Sequence, residues 1–229
     1  MLNTKATIKH PAKYTDSLIP VFEGMLAECK SVLDPFAGTG KIHSLTAETT
    51  GVEIEKEWAD MSIGTVQGDS TRLSEVLKGQ TFDAICTSPT YGNRMADSHI
   101  ASDSSKRNTY THTLGRNLHD NNSGKMQWGD SYRTLHEDVY SECVKVLNPG
   151  GVFVLNVKNH IRKGVEVDVF GWHLEALRTA GFVLRDVVRV YASGNGFGQN
   201  ASARVPFEYV AKLEMIPRRK TQTNTYKNI

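Results

Sequence analysis

What most constrains this chain is an alternation. Short apolar, β-branched runs recur along it, and "SVLDPF" (31–36), "GVEIE" (51–55), "GTVQGD" (64–69), "FDAICTS" (82–88) and "VFVLNV" (152–157) read as strands, the third the weakest. Between them lie segments of helical character. "LHEDVYSECVKVL" (135–147) spaces its apolar residues as a helix that "NPGG" stops, and "VFGWHLEALRTAGF" (169–182) is another, with Gly181 at its C-terminal end. Strands alternating with helices imply a mostly parallel sheet covered on both faces, an α/β architecture. Two more runs, "VLRDVVRVY" (183–191) and "FEYVAKLEM" (207–215), have no helix between them. They are expected as an antiparallel pair at one edge, which brings the sheet to seven strands.

The 229 residues fit a single domain with a full core, 1–229, and one segment departs from the alternation. Residues 92–134 are polar and lack a sustained period, so they are expected as a long inserted loop. A structureless connection of that length is uncommon in a compact domain and is usually functional or mobile. The basic end, 218–229, is expected to be a flexible tail.

Several classes are disfavoured at this stage. The three cysteines, Cys29, Cys86 and Cys143, are far apart and form no CxxC pair, which argues against a disulfide framework or a zinc site and suits a reducing cytoplasm. His99, His112 and His119 lack metal-ligand spacing, so no metal is expected. The opening residues lack an apolar h-region and no long uncharged apolar run follows, so neither secretion nor membrane spanning is expected. The formal net charge of +2 does not announce nucleic-acid binding, and any basic surface has to come from local clustering.

The chemistry gathers at strand ends. "DPFAGTG" (34–40) lies between a strand and a helix-like stretch, and ligands of open α/β sheets bind beyond the carboxyl ends of the strands at such turns. Its glycines let the backbone approach a ligand, while an acid at the strand end suits an ammonium better than a phosphate. Neither GxxxxGK[ST] nor GxGxxG is present. Glu53 in the second strand is placed to accept from ribose hydroxyls, and Asp69 after the third strand from an adenine amino group. Each acid alone reads as a solvated or capping carboxylate; three at successive strand ends are harder to dismiss.

In this order, "VLDPFAGTG", "GVEIE", "VQGD", "SPTY" and "LNPGGVFVL" resemble an S-adenosylmethionine-dependent methyltransferase, and more narrowly the DNA amino-methyltransferases that modify N4 of cytosine or N6 of adenine. "HPAKYTDSLIPVF" (10–22), with Lys13 and Tyr14, is similar to the family segment that packs over the methionine end of the cofactor. The resemblance implies a Rossmann-like class I methyltransferase fold. It also implies that Asp34 accepts from the methionine amine, that Pro35, Phe36, Ala37, Gly38 and Gly40 line the cofactor, that Glu53 and Ile54 meet the ribose, and that Asp69 and Ser70 meet the adenine. The family tetrad [DNS]-P-P-[YFW] maps onto Ser88, Pro89, Thr90 and Tyr91, with Ser88 also at the cofactor.

The tetrad has a physical rationale of its own. An exocyclic amino nitrogen is a poor nucleophile because its lone pair is delocalised into the ring. Acceptors aimed at its two hydrogens, the Ser88 hydroxyl and the Pro89 carbonyl, hold it pyramidal and free that pair. The base has to leave the duplex to be reached, and Tyr91 would stack on it. Thr90 departs from the pattern, since it replaces the second proline and adds a donor and a hydroxyl. Serine in the first position leans towards cytosine N4. Cytosine C5 chemistry needs a nucleophilic cysteine after a proline, whereas Cys86 lies within the strand and reads as a core residue. The same scaffold and a Pro-rich, aromatic-ended turn also serve methylation of a guanine amino group in RNA or a glutamine amide in protein, and a binding module without turnover is a further alternative.

Cations interleaved with aromatics suit phosphate contact and base stacking. On that basis Arg94, Lys106, Arg107, Arg116 and Trp128 in the inserted segment are expected to contact DNA, as are Lys158 and Arg162 after the fifth strand and Asn200 and Arg204 in "ASGNGFGQNASARVP" (192–206). The chain has no room for a large recognition domain, so a homodimer is a reasonable source of further surface.

Overall fold

The structure is a computed structural model that describes residues 15–92, 110–191 and 205–216. Strands β1 (Ser31–Asp34), β2 (Glu48–Glu53), β3 (Thr65–Gln67), β4 (Phe82–Thr87), β5 (Leu147–Val157), β8 (Phe182–Tyr191) and β9 (Phe207–Met215) form one seven-stranded sheet in the order β3-β2-β1-β4-β5-β9-β8. Pairing is parallel from β3 through β5, and β9 runs antiparallel between β5 and β8. The expected sheet and its edge pair are both present. A small hairpin, β6 (His160–Arg162) and β7 (Val165–Val167), stands apart.

Period two decides which side chain faces which layer. Val32, Ala84, Cys86, Val154 and Val210 point to one face, where Leu18 and helix α1 (Ile19–Met25) cover them through Phe22 and Met25. Leu33, Ile85, Phe153 and Leu155 point to the other, against α5 (Asp130–Val146) and α6 (Val169–Ala180). Both faces of the central strands are therefore dry, which is why they read as continuous apolar runs. Cys86 is a fully buried core residue and carries no disulfide. At the open edge β8 exposes Leu184 and Val187, and the strand is guarded by a bulge between Leu184 and Asp186 and by Arg185 paired to Glu214.

Three expectations change. The stretch after the glycine turn is only a 3-10 turn, Lys41–Ser44, because β2 already begins at Glu48 and too few residues remain for a helix. The hairpin β6–β7 was not expected; Lys163 and Gly164 both take positive φ (51° and 78°), as a two-residue turn with primed geometry requires. Residues 110–134 are not a structureless loop. They form α4 (Tyr110–Leu114), a 3-10 turn Ser123–Lys125 and the start of α5, and Tyr110 and Leu118 make a small core with Trp58, on α2 (Lys56–Ala59). Among the described residues no helix is long and apolar enough to cross a membrane, and no cluster of three metal-ligating side chains occurs.

Candidate active site

A cavity of about 310 Å3 opens beyond the carboxyl ends of β1, β2 and β4. That volume lies within the range of small-molecule sites, roughly 300–1,000 Å3. One side is the glycine turn with Pro35, Phe36, Ala37 and Gly38, joined by Glu53 and Ile54 from β2. The opposite side is the turn after β4, Ser88 through Tyr91. Asp69 and Ser70 close one end, Asn121 and Ser123 roof it, and Glu208 of β9 also reaches it.

The glycine turn is drawn tightly onto β2. The Ala37 amide donates to the Val52 carbonyl (3.0 Å) and the Gly38 amide to Glu53 Oε2 (2.9 Å). Opposite Ala37 stands Gly51, where a Cβ would fall 2.6 Å from the Ala37 Cβ; only glycine admits this approach. Gly40 sits at φ +78° and starts the 3-10 turn. Ser70 ties the β3 end in by donating its hydroxyl to the Pro35 carbonyl at 2.5 Å.

The three acids divide their labour. Asp34 is fully buried beneath the turn rather than in the cavity wall. Its Oδ1 accepts from the Phe36 amide (3.0 Å) and the Thr87 hydroxyl (2.7 Å), whereas Oδ2 is buried with no hydrogen-bond partner. Burial raises its carboxyl to about 6. A carboxylate with one oxygen unserved is what a cofactor carrying an ammonium would satisfy, so the residues present fit such a group. Glu53 accepts from Gly38 and, through Oε1, from the Glu55 amide (2.8 Å); burial raises it to about 7. Asp69 caps the turn that follows it by accepting from the Thr71 amide and hydroxyl, and its Oδ2 accepts from Asn121 Nδ2 at 2.7 Å.

The tetrad turn is gripped from three directions. Ser88 Oγ lies 3.1 Å from Tyr91 Oη, and Asn156 Nδ2, on β5, donates to Ser88 Oγ (3.0 Å) and to Glu208 Oε2 (2.8 Å). Tyr91 Oη donates to Glu208 Oε2 at 3.4 Å; burial and then that carboxylate push the phenol well above its usual value, so it keeps its proton. The Thr90 hydroxyl donates to Ser123 Oγ at 2.8 Å. Beneath it runs a buried chain: the Thr90 carbonyl accepts from Tyr132 Oη (2.5 Å), which lies 2.8 Å from His173 Nε2, while His173 Nδ1 lies 2.5 Å from Tyr140 Oη. Because the single Tyr132 proton goes to Thr90, His173 has to donate from Nε2 and accept Tyr140 at Nδ1. Burial holds His173 far below its usual value, so it stays neutral. Thr90 is thus anchored through both side chain and carbonyl, and the hydroxyl contact with Ser123 is one that a proline in its place could not make.

Asn156 and Glu208 are site residues that sequence reasoning missed. An asparagine inside the apolar run "VFVLNV" was the available signal, since a buried amide needs partners. The roof residues 121–123 carried no comparable mark, because their partners are remote in sequence.

The expected DNA contacts fare unevenly. The Arg116 guanidinium is paired with Glu55 (2.7 Å) and Glu57, and Glu55 also accepts from the His119 amide (2.8 Å) and Asn122 Nδ2 (2.9 Å). Glu55 is only 1% exposed, and a buried carboxylate needs this compensation. Trp128 is half-buried and held in a packed cluster. Its amide donates to the Gly92 carbonyl (2.7 Å), and its ring packs against Tyr132, Trp172 and His160 with the Arg133 guanidinium 5.0 Å from its centre. Arg162 is on the surface and donates to Gln127 Oε1 (2.7 Å), and Lys158 is half-buried just past β5. Lys13, Tyr14, Arg94, Lys106, Arg107, Asn200 and Arg204 lie outside the described residues.

The chain matches no protein-family model and no curated protein. Its fold has many counterparts among solved structures. TrmN from Thermus thermophilus superposes with a TM-score of 0.51 at 18% identity, over 92% of this chain and 52% of TrmN, so the chain spans about half of that protein. The [4+2]-cyclase SpnF gives 0.52 at 12% identity, over 91% and 85% of the two chains. The 1,6-didemethyltoxoflavin-N1-methyltransferase of Burkholderia thailandensis, solved with S-adenosylhomocysteine bound, gives 0.51 at 16%, over 88% and 79%. Strand order, the antiparallel edge pair and these superpositions define the Rossmann-like class I methyltransferase fold. A cyclase on the same scaffold is a reminder that chemistry is set by the site.

Proposed function

We propose that this protein transfers a methyl group from S-adenosylmethionine to the exocyclic amino group of a base in DNA, with cytosine N4 ahead of adenine N6. One observation carries the reading: a single cavity is walled by the glycine turn and Glu53 on one side and by Ser88, Pro89, Thr90 and Tyr91 on the other. A cofactor and an amino group held in that space would be neighbours, and positioning of this kind supplies much of a transfer rate.

Bound there, the cofactor supplies an electrophilic methyl group. Glu53 would hold its ribose and Asp69 with Ser70 its adenine, while Asp34, beneath the glycine turn, would accept from its ammonium through the unserved Oδ2. Ser88 Oγ and the Pro89 carbonyl accept from the amino hydrogens and localise the nitrogen lone pair. The Tyr91 ring lines the same space and stacks on a base flipped out of the duplex. Arg162 and Lys158, with Arg94, Lys106, Arg107, Asn200 and Arg204, are the proposed DNA contacts, and a second copy of the chain supplies further recognition surface.

The test is transfer of labelled methyl from S-adenosylmethionine to DNA, tRNA and protein offered side by side. Label in DNA alone supports the reading. Label confined to RNA or protein sinks it and favours a guanine or glutamine acceptor on the same turn.

A further inference from the structure

The geometry points to Glu208 as the terminal acceptor of the proton that the target amine loses, reached through the Ser88 and Tyr91 hydroxyls. This deepens the methyl-transfer reading and rests on it. An amino group that gains a carbon bond has to lose one hydrogen as a proton. The turn after β4 offers hydroxyls for that purpose, but a hydroxyl can pass a proton on only if it has an acceptor behind it.

Here each one does. Ser88 Oγ is 3.1 Å from Tyr91 Oη, and Tyr91 Oη is 3.4 Å from Glu208 Oε2, so the three groups form a chain along the cavity wall that ends on a carboxylate. Asn156 fixes that chain: its one amide nitrogen lies 3.0 Å from Ser88 Oγ, 2.8 Å from Glu208 Oε2 and 3.4 Å from Tyr91 Oη, and its two shortest contacts hold the first and last members in place. With Glu208 as the final acceptor the hydroxyl protons point the same way. Tyr91 donates to Glu208, Ser88 donates to Tyr91, and a Ser88 lone pair is left facing the amine.

The balance is simple. The nitrogen pair forms the bond to carbon, and the cofactor's sulfur keeps the pair of the bond that breaks. The amine proton passes to Ser88 Oγ, the Ser88 proton to Tyr91 Oη, and the Tyr91 proton to the Glu208 carboxylate. The positive charge that entered with the cofactor is neutralised by the negative charge of Glu208.

The surroundings leave Glu208 to this task. Tyr91 and Ser88 face it from the β4 turn, Asn156 from β5, and Val190 is its register partner on β8. Arg189 is turned onto the rings of Phe207 and Tyr209 (4.8 and 5.6 Å), the neighbours that alternate to the other face of β9. Lys41, which lines the same cavity, is paired with Asp16.

The experiment compares wild type with Glu208→Gln, Glu208→Asp and Glu208→Ala. Glutamine keeps an oxygen for Asn156 and Tyr91 but cannot take a proton. S-adenosylhomocysteine affinity and thermal stability of Glu208→Gln should match wild type within about twofold and a few degrees. Its single-turnover methylation should fall by about 100-fold, the order expected for a positioned base. Glu208→Asp should recover part of the rate, and added formate should partly rescue Glu208→Ala. Methylation by Glu208→Gln within threefold of wild type, with no formate rescue of Glu208→Ala, overturns the proposal while leaving methyl transfer intact. A wild type that transfers methyl to neither DNA, RNA nor protein overturns both.

Discussion

Replacing Asp34 by asparagine should make the protein without cofactor more stable and, at the same time, a poorer binder. Burial raises the Asp34 carboxyl from 3.8 to about 6 in the folded protein. With one tenfold change in acidity worth about 1.4 kcal/mol, ionising Asp34 costs the fold ~3 kcal/mol. The sign follows from the direction of the shift. A carboxyl raised on folding contributes stability that is fully present below 3.8 and is lost as the pH climbs through about 6. Asparagine keeps an oxygen for the Phe36 amide and the Thr87 hydroxyl, yet has no proton to lose. Asp34→Asn should therefore melt close to wild type near pH 4 and some 6–12 °C above it at pH 8, taking about 2–4 °C per kcal/mol for a chain of this size. Binding runs the other way, because an ammonium favours ionised Asp34. Wild-type affinity for S-adenosylmethionine should rise about tenfold between pH 5 and pH 8, since only about a tenth of a group titrating near 6 is ionised at the lower value. The variant should bind weakly with this rise missing, and any slope that survives belongs to Glu53, raised by burial to about 7. Scanning fluorimetry and titration calorimetry read both effects. A variant less stable than wild type at pH 8, or one that keeps wild-type affinity, would refute the reasoning.

Arg116→Ala strands the buried Glu55 and, with the guanidinium itself about 40% exposed, should cost roughly 1–2 kcal/mol in chemical denaturation. It should leave the salt dependence of DNA binding unchanged; a slope reduced by about one would return Arg116 to the DNA contacts. Thr90→Val removes the hydroxyl that serves buried Ser123 and should cost about 1–2 kcal/mol and slow methylation, while Thr90→Ser restores both. Equal behaviour of valine and serine at position 90 would show that the Ser123 contact does not hold the turn.

Much of this molecule is legible before folding, for reasons that particular residues make clear. Val32 and Leu33, or Phe153 and Val154, are apolar neighbours on opposite faces, so doubly covered strands announce themselves. Asp34 and Glu53 end their strands and Asp69 lies two residues past a third, where the topology puts ligands, so all three were legible as candidates. The pairing of Arg116 was not legible, because a cation in a polar stretch looks solvated until Glu55, 61 residues earlier in the sequence, is brought beside it. Glu208 was passed over because a charged residue in an edge-pair strand reads as a solvent-facing position. Only the antiparallel return of β9 beside β5 carries it to Asn156 and Tyr91. Local pattern thus gave the sheet, and remote pairing gave the roof of the cavity and the acid behind the tetrad.

The central claim is that the cavity and the Ser88–Tyr91 turn act together on an amino group in DNA. The direct measurement is quantitative nucleoside mass spectrometry of DNA from cells expressing wild type or Tyr91→Ala, with calorimetry verifying that both proteins bind S-adenosylmethionine. N4-methylcytosine, or else N6-methyladenine, should accumulate with wild type and be absent with Tyr91→Ala at similar cofactor affinity. Neither modified base with a wild type that binds the cofactor, or the same modification with Tyr91→Ala, would contradict it.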